Sequence, residues 1–172
     1  MVVKNPNVLI VDDEQVVCDL LREELSELGY HCVVAFNGDN ALAKLRKQRF
    51  DLVLLDIRLP GMSGIEVLRE MRSRHLGTAT IVITAVNEID TAVEAIRLGA
   101  SDYIVKPFAL DRVNTALRVA LQNRIRLSRR TQGEVAFAGH KETNERAKEK
   151  VLDRMEAIAR GVEARYEWAI GY

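Results

Sequence analysis

The sequence predicts an open, doubly wound α/β domain over residues 1–122 and a helical extension over residues 123–172. Two patterns carry that expectation. Short apolar runs rich in leucine or β-branched residues alternate with amphipathic segments, five times over. Four of the five runs also lead into polar residues that a parallel sheet would bring to one edge.

The runs are Val8 to Val11, Cys32 to Ala35, Leu52 to Leu55, Ile81 to Thr84 and Tyr103 to Val105, each of strand length. After the first run, Val17, Leu20, Leu21, Leu25 and Leu28 recur at helical spacing, and Gly29 supplies a stop. Ser63 with Glu66 has the form of a capping box opening a helix that carries Val67, Leu68 and Met71. Asn87 is placed to cap a segment with Ile89, Val93 and Ile96, which closes at Gly99. The last run leads through Pro107 into a helix starting near Leu110. Parallel neighbours need crossover connections, and these are almost always right-handed.

Composition narrows the class. Of the 172 residues, 48% are hydrophobic and 29% charged, which supports a packed core rather than disorder. The 25 basic and 25 acidic residues cancel, against a chain built throughout to coat nucleic acid. Aromatics at 5% disfavour a stacking platform for single strands. Two cysteines are too few for a disulfide framework, and no apolar run approaches a membrane span. Asp12, Asp13 and Glu14 interrupt the N-terminal apolar stretch too early for a signal peptide. The expectation is a cytoplasmic protein without a membrane segment.

The strand ends carry the chemistry. The first run ends at Asp12 and Asp13, the third at Asp56, the fourth at Thr84 and the fifth at Lys106. Taken singly, each has a structural reading: helix caps for the aspartates, a turn residue for Asp56 before Pro60-Gly61, plain surface for Lys106. Together they bring three carboxylates, a hydroxyl and an ammonium to one edge of one sheet. Carboxylates so close repel, and a hard cation such as Mg2+, with oxygen ligands and a phosphoryl group, neutralises them. Lys106 is a second positive charge suited to phosphoryl oxygens, and a carboxylate can act as nucleophile.

Val8-Leu9-Ile10-Val11-Asp12-Asp13-Glu14, Leu54-Leu55-Asp56-Ile57-Arg58-Leu59-Pro60-Gly61-Met62-Ser63-Gly64, Ile83-Thr84-Ala85 and Tyr103-Ile104-Val105-Lys106-Pro107-Phe108 resemble the receiver domain of two-component response regulators. The resemblance implies a five-stranded sheet in the order 2-1-3-4-5. It implies that Asp56 accepts a phosphoryl group from a sensor histidine kinase or a histidine phosphotransfer protein. By the same resemblance, Asp13, Asp56 and the Arg58 carbonyl bind Mg2+ directly, and Asp12 does so through water. Lys106 pairs with Asp56 at rest and then with the phosphoryl oxygens. Thr84 swings toward that group, Tyr103 rotates inward behind it, and the Lys106–Pro107 bond is cis. Beyond self-phosphorylation and self-dephosphorylation, no enzymatic activity is implied.

Arg58, two residues past the nucleophile, either overhangs the phosphoryl group and impedes an attacking water, or faces solvent.

The extension differs in kind. Residues 1–122 hold 14 basic and 17 acidic side chains, leaving 11 and 8 for 123–172. Arg124, Arg126, Arg129 and Arg130 crowd the exit, and residues 133–139 read as a hinge. Val151, Met155, Ile158, Val162 and Ala169, with Arg165 or Tyr166 between, mark a short helical seam. This helix either pairs in a homodimer, lies on the domain's own switch face, or docks an output protein, with Trp168 as an anchor. Ala157, Gly161 and Val162 have the spacing of a helix-turn-helix corner, but Glu163 and Glu167 oppose DNA contact.

Overall fold

Side-chain alternation along the strands divides the interior in two. In the computed structural model, which describes residues 5–74, 77–85, 88–133, 149 and 152–153, the strands are β1 (Asn7–Val11), β2 (His31–Ala35), β3 (Leu52–Asp56), β4 (Ala79–Ala85) and β5 (Asp102–Lys106). The helices are α1 (Gln15–Glu27), α2 (Gly38–Lys47), α3 (Gly64–Ser73), α4 (Ile89–Arg97) and α5 (Leu110–Gly133). All strand pairings are parallel, in the order β2-β1-β3-β4-β5 that the resemblance implied.

Leu9, Val11, Val53, Leu55 and Val82 point to one side, where they pack with Leu42, Leu68, Met71 and Ile96 from α2, α3 and α4. Val8, Ile10, Leu52, Leu54, Ile81 and Ile83 point to the other, against Leu21 and Leu25 of α1 and Val113 and Leu117 of α5. Strands covered on both faces favour apolar residues at successive positions, which is why β1 and β3 read as near-continuous runs, while β4 carries the buried Thr80 and Thr84 among its apolar residues. Each fully buried Leu or Ile contributes roughly 1.5–3 kcal/mol.

The helix ends follow local chemistry. The capping box on α3 is present: Ser63 Oγ accepts from the Glu66 amide, and Glu66 Oε2 accepts from the Ser63 amide at 2.8 Å. On α2, Asn37 accepts from the Asn40 amide at 2.8 Å, a cap typically contributing about 1 kcal/mol. The buried face of α1 differs from the expected one. Cys18, Leu21 and Leu25 are fully buried, whereas Leu20 is 47% and Leu28 53% exposed. At about 100° per residue, Leu20 falls nearly opposite Cys18, and Leu28 is already the C-cap.

Helix α5 continues past Gln122 without a break. Arg124 donates to the Gly77 carbonyl at 2.9 Å and to Asp51, whose other oxygen accepts from the Asn7 amide at 2.8 Å. From the extension, Glu149, Leu152 and Asp153 are helical, and Leu152 packs against the cluster on the α2–α3–α4 side. Asn87, residues 134–139, Val151, Met155, Ala157, Ile158, Gly161, Val162, Arg165, Tyr166, Trp168 and Ala169 lie outside the described residues. No helix among the described residues is long and apolar enough to cross a membrane.

Candidate functional site

Strand register gathers the site. Val11 pairs with Leu55, Asp56 with Ile83, Thr84 with Val105, and Ala85 with Lys106. Asp12, one residue past β1, therefore stands beside Asp56 at the end of β3. Asp12 is fully buried, Asp56 is 4% exposed, and Asp13 faces solvent. Carboxylate oxygens of all three lie within 4.8 Å of one another.

Lys106 holds this charge together. Its Nζ donates to Asp12 Oδ2 at 2.9 Å, to Asp56 Oδ2 at 2.9 Å and to Glu14 Oε1 at 3.0 Å. The Lys106–Pro107 peptide bond is cis, as the resemblance implied. Burial pushes the Asp56 carboxyl above its ordinary range and the Asp12 charge adds to this, while Lys106 and the Arg58 amide oppose it. Burial alone would lower the Lys106 ammonium, but its bonds to Asp12, Asp56 and Glu14 prevail and raise it. The lysine is therefore firmly charged.

The loop after β3 fixes the acceptor. The Arg58 amide donates to Asp56 Oδ1 at 3.0 Å, the Ile57 amide to the Ile83 carbonyl at 3.0 Å, and the Gly64 amide to the Ile57 carbonyl at 2.9 Å. A Cβ on Gly64 would lie 2.2 Å from the Asp56 carbonyl oxygen, so only glycine lets α3 begin this close. Before α1, Asp12 Oδ1 accepts from the Glu14 amide at 2.9 Å, closing a turn two residues long; the N-cap of α1 is Glu14, without a side-chain cap bond, so Asp12 does not cap the helix as its structural reading expected.

Thr84 is fully buried, and its hydroxyl is directed at the carbonyls of Ala85 (3.1 Å) and Glu88 (3.3 Å). Tyr103 is 8% exposed and belongs to the cluster containing Val82, Ala92 and Ile96. The Arg58 side chain is two-thirds exposed and donates through Nε to Glu88 Oε1. Sequence reasoning gave no site role to Glu14, Gly64 or Glu88. Glu14 follows directly on the aspartate pair, a signal that was readable. Glu88 lies four residues past Thr84, and only the turn into α4 brings it back to Arg58.

The donor set suits a hard divalent cation. Three carboxylates within 4.8 Å of one another, two of them buried, carry more negative charge than Lys106 alone offsets. The residues present thus fit Mg2+.

A doubly wound sheet whose strand ends collect acidic oxygens, a hydroxyl and a lysine defines a class: α/β domains with a polar site in the crevice at the carboxyl edge of a parallel sheet. Residues 8–118 match the family of the response regulator receiver domain, and the chain belongs to that family. It is 46% identical over 115 residues to the regulatory protein AtoC of Escherichia coli K12, covering 67% of this chain and 25% of AtoC. It is 39% identical over 115 residues to the transcriptional regulatory protein ZraR of Salmonella typhimurium, covering 67% of this chain and 26% of ZraR. The chain therefore spans about a quarter of the length of these curated relatives. Among solved structures, the receiver domain of NtrX from Brucella abortus superposes with a TM-score of 0.64 at 39% identity, over 67% of this chain and 98% of that one. The receiver domain of Francisella response regulator 1452 gives 0.65 at 27% identity, over 69% of this chain and 98% of that one.

Proposed function

We propose that Asp56 receives a phosphoryl group from a phosphohistidine on a sensor histidine kinase or histidine phosphotransfer protein. Family membership implies a histidine kinase partner in general; the assignment to Asp56 is supported chiefly by its burial beside a charged lysine 2.9 Å away. A carboxylate oxygen of Asp56 attacks phosphorus as the phosphorus–nitrogen bond breaks, and the imidazole leaves with the bonding pair. Lys106 then turns its hydrogen bonds to the new phosphoryl oxygens, and the Thr84 hydroxyl supplies a further donor. Asp13, Asp56 and the Arg58 carbonyl, with Asp12 beside them, would hold Mg2+, which would supply charge neutralisation. Once phosphorylated, the site is more acidic by nearly two charges, which favours the packing in which Thr84 and Lys106 both reach it. Tyr103 follows Thr84 as the switch aromatic.

Incubation with acetyl phosphate and Mg2+ tests this reading. The intact protein gains the mass of one phosphoryl group, and Asp56→Ala does not. A wild-type mass that stays unchanged removes the reading.

The output is a protein contact made by the switch face or the extension. Leu152 supports it, because it packs on the cluster to which Tyr103 also belongs. Comparing oligomeric state with and without beryllofluoride separates a phosphorylation-controlled homodimer from a contact with another protein. A second reading, control of transcription, draws on AtoC and ZraR being named as regulatory proteins. A salt-sensitive mobility shift of duplex DNA by the whole chain would favour it.

A further inference from the structure

Two donors that a phosphoryl group on Asp56 would recruit are both engaged by one residue. Glu88 accepts the Arg58 Nε on its side-chain Oε1, and its main-chain oxygen, 3.3 Å from the Thr84 hydroxyl, shares that donor with the Ala85 carbonyl at 3.1 Å. It stands immediately before the first residue of α4. Its side chain is only 14% exposed, whereas that of Arg58 is 67% exposed. The second carboxylate oxygen, Oε2, is buried and has no hydrogen-bond partner among the described residues. Meanwhile the Arg58 amide already donates to Asp56 Oδ1 at 3.0 Å, so its guanidinium is tethered within a short reach of the acceptor.

We propose that Glu88 is a positioning residue for the phosphoryl site: it holds the Arg58 guanidinium away from Asp56 and shares with Ala85 the hold on the Thr84 hydroxyl, and phosphorylation must win both donors. This rests on the assignment of Asp56 as acceptor. The exchange is physically balanced. Glu88 offers Arg58 a single charge through one oxygen and leaves its other oxygen unsatisfied, which weakens its hold. A phosphoryl group offers nearly two charges and three acceptors, with the paired geometry that a guanidinium favours. When both donors move, the entry to α4 loses its side-chain tie to the β3–α3 loop and its tie to the end of β4. The modified site is thereby linked to α4 through a second route beside Thr84. A ligand shifts such an equilibrium only by its differential affinity, so removing the competing charge of Glu88 strengthens binding at Asp56.

The test is calorimetric titration of beryllofluoride with Mg2+ onto the full chain, as wild type, Glu88→Gln, Arg58→Ala and the double variant. Glu88→Gln binds about threefold tighter than wild type, since a partly exposed ion pair is being released. Arg58→Ala binds about threefold weaker, and adding Glu88→Gln to it changes nothing further. General damage to the fold would weaken binding instead of tightening it. Equal or weaker binding by Glu88→Gln, or a tightening that survives without Arg58, overturns the proposal. Should Glu88→Gln fail to fold, Arg58→Gln carries the test: unchanged affinity there overturns the proposal equally. If wild type takes no phosphoryl group from acetyl phosphate, the acceptor assignment fails. If it does and the cycle is flat, only the role of Glu88 fails.

Discussion

The Lys106 ammonium stands 2.9 Å from the Asp56 carboxylate, at the end of two strands that are not neighbours in the sheet. β4 lies between them, so a cation from β5 reaches across to β3 and on to Asp12 beyond β1. Two buried carboxylates depend on that single reach, and a third, Glu14, closes over it from the solvent side. The same contact that makes the resting site tolerable supplies the positive charge needed when a phosphoryl group arrives.

Replacing Lys106 separates these two roles. Lys106→Gln leaves Asp12 and Asp56 facing one another without compensation, so the fold loses roughly 1–3 kcal/mol in EDTA, the cost of stranding buried charge. Mg2+ recovers a larger part of stability in the variant than it adds to wild type. With Mg2+ present, acetyl phosphate labelling falls at least tenfold. Urea unfolding with and without Mg2+ reads the first effect, and equal midpoints for variant and wild type in EDTA would contradict it.

Asp56 carries a pH signature of known sign. Burial and the Asp12 charge raise its carboxyl in the folded protein above its unfolded value, so ionising it opposes folding. The resulting penalty is fully present above the raised value and fades as pH falls back through it toward the unfolded one. Asp56→Asn has no such group. It is more stable than wild type at pH 7 without metal, and the difference shrinks as pH is lowered through the carboxylate range. Thermal unfolding in EDTA between pH 7 and pH 4 checks the trend; a gap that widens with acid reverses the assigned sign.

Much of this was legible in the sequence because parallel sheets bury their central strands. Runs such as Leu52 to Leu55 announce strands with both faces covered, and whatever follows them must sit at the carboxyl edge. That is enough to bring Asp12, Asp56, Thr84 and Lys106 together before any coordinates. The α1 face was less legible. Leu20 and Leu28 are apolar but exposed, and Cys18 is buried in their stead, because helical spacing alone does not fix the angle at which a helix meets its sheet. Glu88 was not legible at all. Its meeting with Arg58 joins residues thirty apart in the chain, a contact with no periodic signal.

Gly64 sets how near α3 can approach the acceptor. Any side chain there would place its Cβ 2.2 Å from the Asp56 carbonyl oxygen and 2.9 Å from the Ile57 Cα, both main-chain atoms with no freedom to yield. Gly64→Ala therefore shifts α3 or the end of β3, destabilising the domain by about 1–3 kcal/mol. Because Asp56 itself moves, labelling by acetyl phosphate drops several-fold even at temperatures where the variant is folded. Circular dichroism alongside mass spectrometry distinguishes the two effects, and full labelling of a folded variant would show that the approach is not critical.

Arg124 ties the continuation of α5 back to the sheet. It lies beyond Gln122 yet reaches back to the Gly77 carbonyl at 2.9 Å and to Asp51, which in turn holds the Asn7 amide at 2.8 Å. One arginine thus ties the far half of α5 to Gly77, two residues before β4, and, through Asp51, to the start of β1. The pair is partly shielded, its side chains 31% and 19% exposed, so it contributes more than a free surface ion pair. Arg124→Ala costs about 1 kcal/mol, because the Asp51 carboxylate and the Gly77 carbonyl both lose a charged donor. A chain ending at residue 122 loses the same contact and the helix turn that carries it, whereas one ending at residue 128 keeps both. Urea unfolding of the two truncated chains beside Arg124→Ala reads this directly. The shorter chain unfolds at lower urea than the longer, by at least the deficit of the point variant. Matching midpoints for the two truncations would mean that α5 is held by its apolar face alone.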